Sequence, residues 1–189
     1  FLPDAMYKNK LTHGSTYKMA VHGDNGWHDR IPAYATRVVQ NDETKDFSAQ
    51  FWAPTEQYDW RGDQFDAKSL GSLLIYEAHV GMAQEKAGVG TYREFTRKIL
   101  PKIRRAGYNA VQLMAVAEHP YYGSFGYHVS NFYAPSSRFG TPEELKELIR
   151  VAHTMGLAVI MDVVHAHYVK NFNEGLRELD GSDHHYSPA

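Results

Sequence analysis

Residues 156–167, GLAVIMDVVHAH, decide how the rest of the chain is read. Leu157-Ala158-Val159-Ile160-Met161 is apolar without alternation, which predicts a parallel strand buried on both faces. The run ends abruptly in Asp162, then Val163-Val164, then His165 and His167. A carboxylate and two imidazoles where a buried strand runs out is where α/β barrels and open α/β sheets place their chemistry.

Working upstream, the same unit recurs. Thr141 to Met155 reads as a helix, with Thr141 as N-cap, Pro142 at the first helical position and Glu144 completing a capping box. Asn109 to Val116 (NAVQLMAV) is a strand, and Thr91 to Arg105 a helix with Tyr92, Phe95, Ile99 and Ile103 near one face. Pro101 should kink that helix, and Gly107 should stop it. Leu73 to Val80 (LLIYEAHV) is the first strand, and Glu77 within it reads as a buried, paired structural carboxylate. The joints RRAGYNAVQLM and HTMGLAVIMDV match, so the pattern is α/β with right-handed βαβ units and a parallel sheet. A ligand site then lies at the carboxyl ends of the strands, where Gly81, Glu118 and Asp162 fall.

Residues 117–140, AEHPYYGSFGYHVSNFYAPSSRFG, are far longer than the usual connection of ~2–6 residues. Tyr121, Tyr122, Phe125, Tyr127, Phe132 and Tyr133 are too much apolar surface for a disordered loop. Beside Asp162 they read as one wall of a pocket, with Glu118 as a loop ligand.

The N-terminal part is different. Tyr17, Met19 and Val21 alternate with Lys18, Ala20 and His22, Asp24-Asn25-Gly26 is a hairpin turn, and Trp27 to Val39 is a second arm that Pro32 restricts to an edge or a broken strand. Residues 40–72 have no clean period and read largely as a linker draped over the next domain, with Trp52 and Trp60 as its anchors. Neither end has a natural boundary: FLPDAMYKNK carries no initiating Met or signal-peptide pattern, and HHYSPA stops in mid-loop. The expectation is a piece of a longer protein.

Composition narrows the chemistry. A formal net charge of −2 gives no electrostatic case for nucleic acid or anionic membrane, and no apolar run approaches a membrane span of ~18 residues. Cysteine is absent, while tyrosine, at 13 residues, suits flat, partly apolar ligands such as sugar rings. His165-x-His167, with His153, His184 and His185, invites a metal, but no compact ligand spacing supports zinc. There is no Gly-rich phosphate loop and no G-x-S-x-G elbow, so nucleotide and serine-hydrolase chemistries find little support; no cofactor is expected.

IYEAHVGM (75–82), the run from YNAVQLMAVAEHP to DVVHAH (108–167) and LDGSDHHY (179–186) closely resemble the 1,4-α-glucan branching enzymes of the α-amylase superfamily. HDRIPAYATRVVQ resembles the close of the starch-binding β-sandwich that precedes the barrel in such enzymes. The resemblance implies the first three β/α units of a truncated (β/α)8 TIM barrel, preceded by the end of a β-sandwich: residues 1–45 the sandwich remnant, 46–72 a linker, 73–189 the start of the catalytic domain. It implies that Asp162 shapes the sugar site next to the cleaved bond, His167 hydrogen-bonds that sugar and Tyr127 stacks on it, with Tyr122 and Glu118 as further substrate-binding candidates. The implied chemistry is retaining transglycosylation on α-1,4-glucan (glycogen, amylose, amylopectin), through an Asp nucleophile and a Glu acid/base ~5 Å apart. By family order both follow later strands. From Leu73 the chain offers less than half of the ~250 residues a barrel takes, so this stretch alone should be inactive and could self-associate. Ala166 stands where many amylases place a calcium-binding Asn, which fits the branching enzymes and expects no metal. The resemblance implies a cytoplasmic protein, or a plastid one in a plant. An isoamylase-type debranching hydrolase and a non-catalytic glucan-binding protein are the alternatives.

Overall fold

The computed structural model describes residues 4–7 and 9–182. His184, His185 and the end of LDGSDHHY lie outside them. The elements run α1 (Asp4–Tyr7), β1 (Thr16–Tyr17), β2 (Met19–Gly23), β3 (Gly26–Arg30), β4 (Val38–Gln40), β5 (Phe47–Gln50), β6 (Ile75–Ala78), α2 (Tyr92–Glu94), α3 (Leu100–Arg105), β7 (Ala110–Leu113), β8 (Ala117–Glu118), β9 (Asn131–Pro135), α4 (Pro142–Thr154) and β10 (Ala158–Met161).

β6, β7 and β10 form a parallel sheet in the order β10-β7-β6. Register aligns Tyr76, Val111 and Val159, then Ala78, Leu113 and Met161, on one face, and Glu77, Gln112 and Ile160 on the other. The first face carries the helices. Val111, Leu113, Ala78 and Val80 pack there with Tyr92, Phe95, Leu100, Ile103, Phe139, Leu148 and Leu157.

The second face explains two corrections. β10 is not buried on both faces: Ala158 is buried, Val159 and Ile160 are half-buried and Met161 is exposed. Glu77 is exposed too, and its Oε1 accepts a 3.3 Å hydrogen bond from Gln112 Nε2. Among the described residues the helices cover one side of the sheet only, and β6 and β10 are its edges.

α4 starts as its residues dictate. Thr141 accepts from the Glu144 amide, the Glu144 carboxylate accepts from the Thr141 amide, and Pro142 opens the first turn. The earlier helix shows how Pro101 is accommodated. Between α2 and α3, Phe95–Ile99 widens into a π-helical stretch in which the Leu100 amide donates to the Phe95 carbonyl. The expected kink becomes a widened turn just before the residue that has no N–H.

The N-terminal strands split as Pro32 requires. β2 and β3 form a hairpin closed by Asp24-Asn25, with Gly23 opposite Gly26, and β3 ends at Arg30. β4 joins a separate antiparallel sheet, β1-β5-β4. β5 lies inside the stretch expected to be linker: Phe47 and Ala49 alternate inward, over too short a span to show a period. Ile31, Ala35, Val38, Phe47 and Ala49 form a second core together with Ala134 from β9. Residues 52–65 then run along α4: Trp52 Nε1 donates to the Glu143 carboxylate at 3.0 Å, Tyr58 donates to Glu147, and Phe65 stacks on His153 at 4.4 Å.

Candidate functional site at the strand ends

Asp162 continues β10 with its amide bonded to the Leu113 carbonyl at 3.2 Å, which places its side chain on the same face as Glu77 and Gln112. Tyr127 reaches it across the long excursion: the phenol donates to Asp162 Oδ2 at 2.9 Å. Burial raises the Tyr127 pKa, and the bonded carboxylate of Asp162 and the charge of Glu77 raise it further. The phenol therefore stays a donor, and its O–H holds the carboxylate in one orientation.

The backbone that presents Tyr127 is unusual. Phe125 adopts a left-handed conformation (φ 56°, ψ 23°), which a bulky L-residue rarely does. Gly126 follows at φ 89°, and a Cβ there would lie 1.9 Å from the Ala115 carbonyl oxygen. The Phe125 ring packs on His79 at 5.7 Å, and the Tyr127 amide closes a turn onto the Ser124 carbonyl at 3.0 Å. Strain at such residues is typical of backbone held for function.

Glu118 departs from its expected role. It has no exposed surface and is the hub of the excursion rather than an open loop side chain. Its carboxylate accepts from the amides of Ser137 (2.8 Å) and His119 (3.1 Å) and lies 3.9 Å from Arg138 Nη1. Burial raises its pKa, opposed by those donors and the Arg138 charge. Arg138 also donates to the carbonyls of His119 (2.6 Å) and Pro120 (2.7 Å), tying the two ends of the excursion together. Arg138 escaped notice in the sequence because no local pattern marks an arginine as the counter-ion of a carboxylate at position 118.

The remaining candidates sit apart from Asp162. Tyr122 is half-buried against His79 (5.8 Å), and its hydroxyl fills the space above Gly81, 2.8 Å from where a Cβ there would lie, just beyond the end of β6. His167 is exposed in the turn Ala166-His167, and His165 leans on Phe132 at 5.6 Å. His153 pairs with Asp63. Among the described residues no three His, Asp or Glu side chains converge as a metal site. A groove of about 920 Å3 passes beside Asp162, with Trp52, Tyr58, Trp60, Phe132 and Tyr133 in its walls. Phe132 and Tyr133 of the excursion and the linker anchors Trp52 and Trp60 thus share one concave surface with the strand-end carboxylate, while Tyr121, Tyr122, Phe125 and Tyr127 stand outside its walls.

Residues 75–187 match the family "Alpha amylase, catalytic domain". The 1,4-alpha-glucan-branching enzyme of Yarrowia lipolytica is 50% identical over 180 residues, covering 93% of this chain and 26% of that protein. The "1,4-alpha-glucan-branching enzyme 2-2, chloroplastic/amyloplastic" of Arabidopsis thaliana is 48% identical over 176 residues, covering 93% and 22%. The chain thus spans about a quarter of the length of these relatives. A crystal structure described as "Putative alpha Amylase from Salmonella typhimurium" superposes with a TM-score of 0.65 at 26% identity, over 83% of this chain and 25% of that one. Parallel strands, an aspartate at the end of β10 and a family match across all three βα-related strands agree: the chain belongs to the α-amylase catalytic-domain family.

Proposed function

We propose that this chain is the sugar-positioning part of a 1,4-α-glucan branching enzyme, which cleaves an α-1,4-glucan and transfers the cut chain to a glucan 6-hydroxyl. The observation that carries the reading is the Tyr127–Asp162 hydrogen bond at the strand ends, in a chain about half identical to branching enzymes. Asp162 organises the sugar next to the cleaved bond, Tyr127 stacks on its ring, and His167 hydrogen-bonds it when the turn that carries it folds over the site. Tyr122 supports the wall behind Tyr127. The nucleophile and acid/base of the retaining double displacement come from later strands of the barrel, so residues 1–189 alone turn nothing over.

Residues 1–50, which include β5, are the close of a β-sandwich that binds starch or glycogen, 51–72 the linker, and 73–189 the first part of the (β/α)8 barrel. The protein works in the cytoplasm, or in the plastid in a plant, on α-glucan rather than nucleic acid or membrane; no helix among the described residues is long and apolar enough to cross a bilayer. Taken alone, the stretch self-associates through Leu73, Leu74, Ile75, Met161 and Val163, all exposed.

The test is the full-length protein on amylose. New α-1,6 linkages without a matching rise in reducing ends are expected. Reducing ends that rise without new branches would make it a hydrolase, and binding without turnover a glucan-binding protein.

A further inference from the structure

The β2–β3 hairpin grips a segment nearly the whole chain away. Asn25 Nδ2 donates to the Gly181 carbonyl at 3.3 Å, and the His28 ring meets Phe172 edge-on at 4.9 Å. A Cβ on Gly23 would lie 1.9 Å from the Asp180 carbonyl oxygen, so this backbone-to-backbone approach is open to glycine alone.

Arg30 is at the centre. Only 1% of it is exposed, its guanidinium lies 3.9 Å over the Phe172 ring, and Nε points at the Leu179 carbonyl at 3.5 Å. Nη1 and Nη2 have no hydrogen-bond partner among the described residues. Burial lowers the Arg30 pKa, while Glu178 and Asp180 act in the opposite direction. A guanidinium is buried at a large desolvation cost unless something offsets it. Here every offsetting group, the Phe172 face and the carboxylates of Glu178 and Asp180, belongs to the segment that follows β10.

That segment is also tied to the wall carrying Tyr127. The Val169 amide donates to the Val129 carbonyl at 2.9 Å, and His165 packs on Phe132. Residues 163–182 therefore bridge the hairpin and the strand-end site.

We infer that the β2–β3 hairpin is a latch that positions the loop following β10 beside the glucan site, with Arg30 as the positioning residue and Gly23 as the contact that lets the loop seat. The inference rests on the glucan reading of that site. With the latch open, the loop spends part of its time unseated, and apparent glucan affinity is multiplied by the fraction still seated.

The experiment compares Arg30→Met, Arg30→Lys and Gly23→Ala in the full-length protein, by hydrogen exchange of peptides spanning 172–182 and by KM and kcat on amylose. Arg30→Met and Gly23→Ala should speed exchange in 172–182 by about tenfold while β7 and α4 peptides keep their protection. KM should rise by about tenfold with kcat within about twofold, and Arg30→Lys should recover part of both effects. Gly23→Ala keeps the test open if Arg30→Met does not fold. Unchanged exchange in 172–182 overturns the latch, and faster exchange with unchanged KM overturns its role at the site. If the wild-type protein acts on no amylose, the glucan reading fails and exchange alone decides whether the hairpin holds the loop.

Discussion

Gly126→Ala separates backbone geometry from side-chain chemistry at the Tyr127–Asp162 pair. Gly126 sits at φ 89°, with its would-be Cβ 1.9 Å from the Ala115 oxygen and 2.9 Å from its carbon. The first effect is conformational: an L-residue forced to positive φ costs about 1–2 kcal/mol. The second is steric. The Ala115 oxygen belongs to the main chain between β7 and β8 and cannot rotate aside, so the loop must retreat until ordinary contact at 3.4–4 Å is restored. Overpacking of this kind costs about 1–3 kcal/mol, which brings the total to roughly 2–5 kcal/mol. The same retreat pulls the phenol of Tyr127, now 2.9 Å from Asp162, beyond hydrogen-bond reach. Gly88→Ala is the matched control, because φ there is 104° and no atom lies within 4 Å of the added Cβ. It should show the conformational part alone. Urea unfolding and chain transfer are measured on both variants in the full-length protein. Gly126→Ala should be less stable than Gly88→Ala by about 1–3 kcal/mol, and it alone should lose transfer. Equal stability losses within about 0.5 kcal/mol, the scatter of ordinary surface changes, together with intact transfer, would refute the reasoning.

Tyr127→Phe keeps the ring and removes the donor to Asp162; kcat/KM on amylose should fall by about tenfold, a hydrogen bond to a charged group at a half-exposed site, with the unfolding midpoint nearly unmoved. Arg138→Ala strips the counter-ion from fully buried Glu118 and two carbonyl bonds from the excursion; unfolding should show a loss of about 3 kcal/mol, partly recovered when Glu118→Gln is added. His119 has its pKa lowered to about 4, chiefly by burial. The unfolded chain, titrating near ~6.5, therefore takes up the proton first, so stability is flat above that pH and falls between ~6.5 and the folded value, by at most about 3 kcal/mol. Denaturation midpoints at pH 7 and pH 5 should differ, and His119→Asn should remove this part of the difference.

Local chemistry was legible and long-range chemistry was not. The capping box of Thr141 and Glu144, the two-residue turn after Gly23 and the break at Pro32 each depend on a few adjacent residues, and each stands in the structure as its sequence implies. The strand-end topology sets the excursion's aromatics, Tyr127 among them, beside Asp162, but the hydrogen bond between the two, 35 positions apart, left no local signal. Glu118 read as a loop ligand because its partners, Ser137 and Arg138, lie about twenty positions on, and burial by distant neighbours leaves no local mark. The exposure of Glu77 and the one-sided burial of β10 have the same cause: an apolar run states that a strand can be buried, while its neighbours decide on which faces. β5 was hidden by its length, since FSAQ is too short to show alternation. The hairpin's grip on Gly181, across 156 positions, had no sequence signal.

The placement of Ala134 has a consequence for how the protein is made. It is 1% exposed and belongs to the core that Ile31, Ala35, Val38, Phe47 and Ala49 build under the β1-β5-β4 sheet. That sheet can pair as soon as Gln50 has left the ribosome, yet its underside is sealed by a residue translated 84 positions later. At typical elongation rates the nascent sheet waits roughly 4–17 s with an apolar face open. A pause in translation after Gln50 has emerged and before Ala134 has emerged should lengthen the time for which chaperones hold this protein, whereas one after Ala134 has emerged should not.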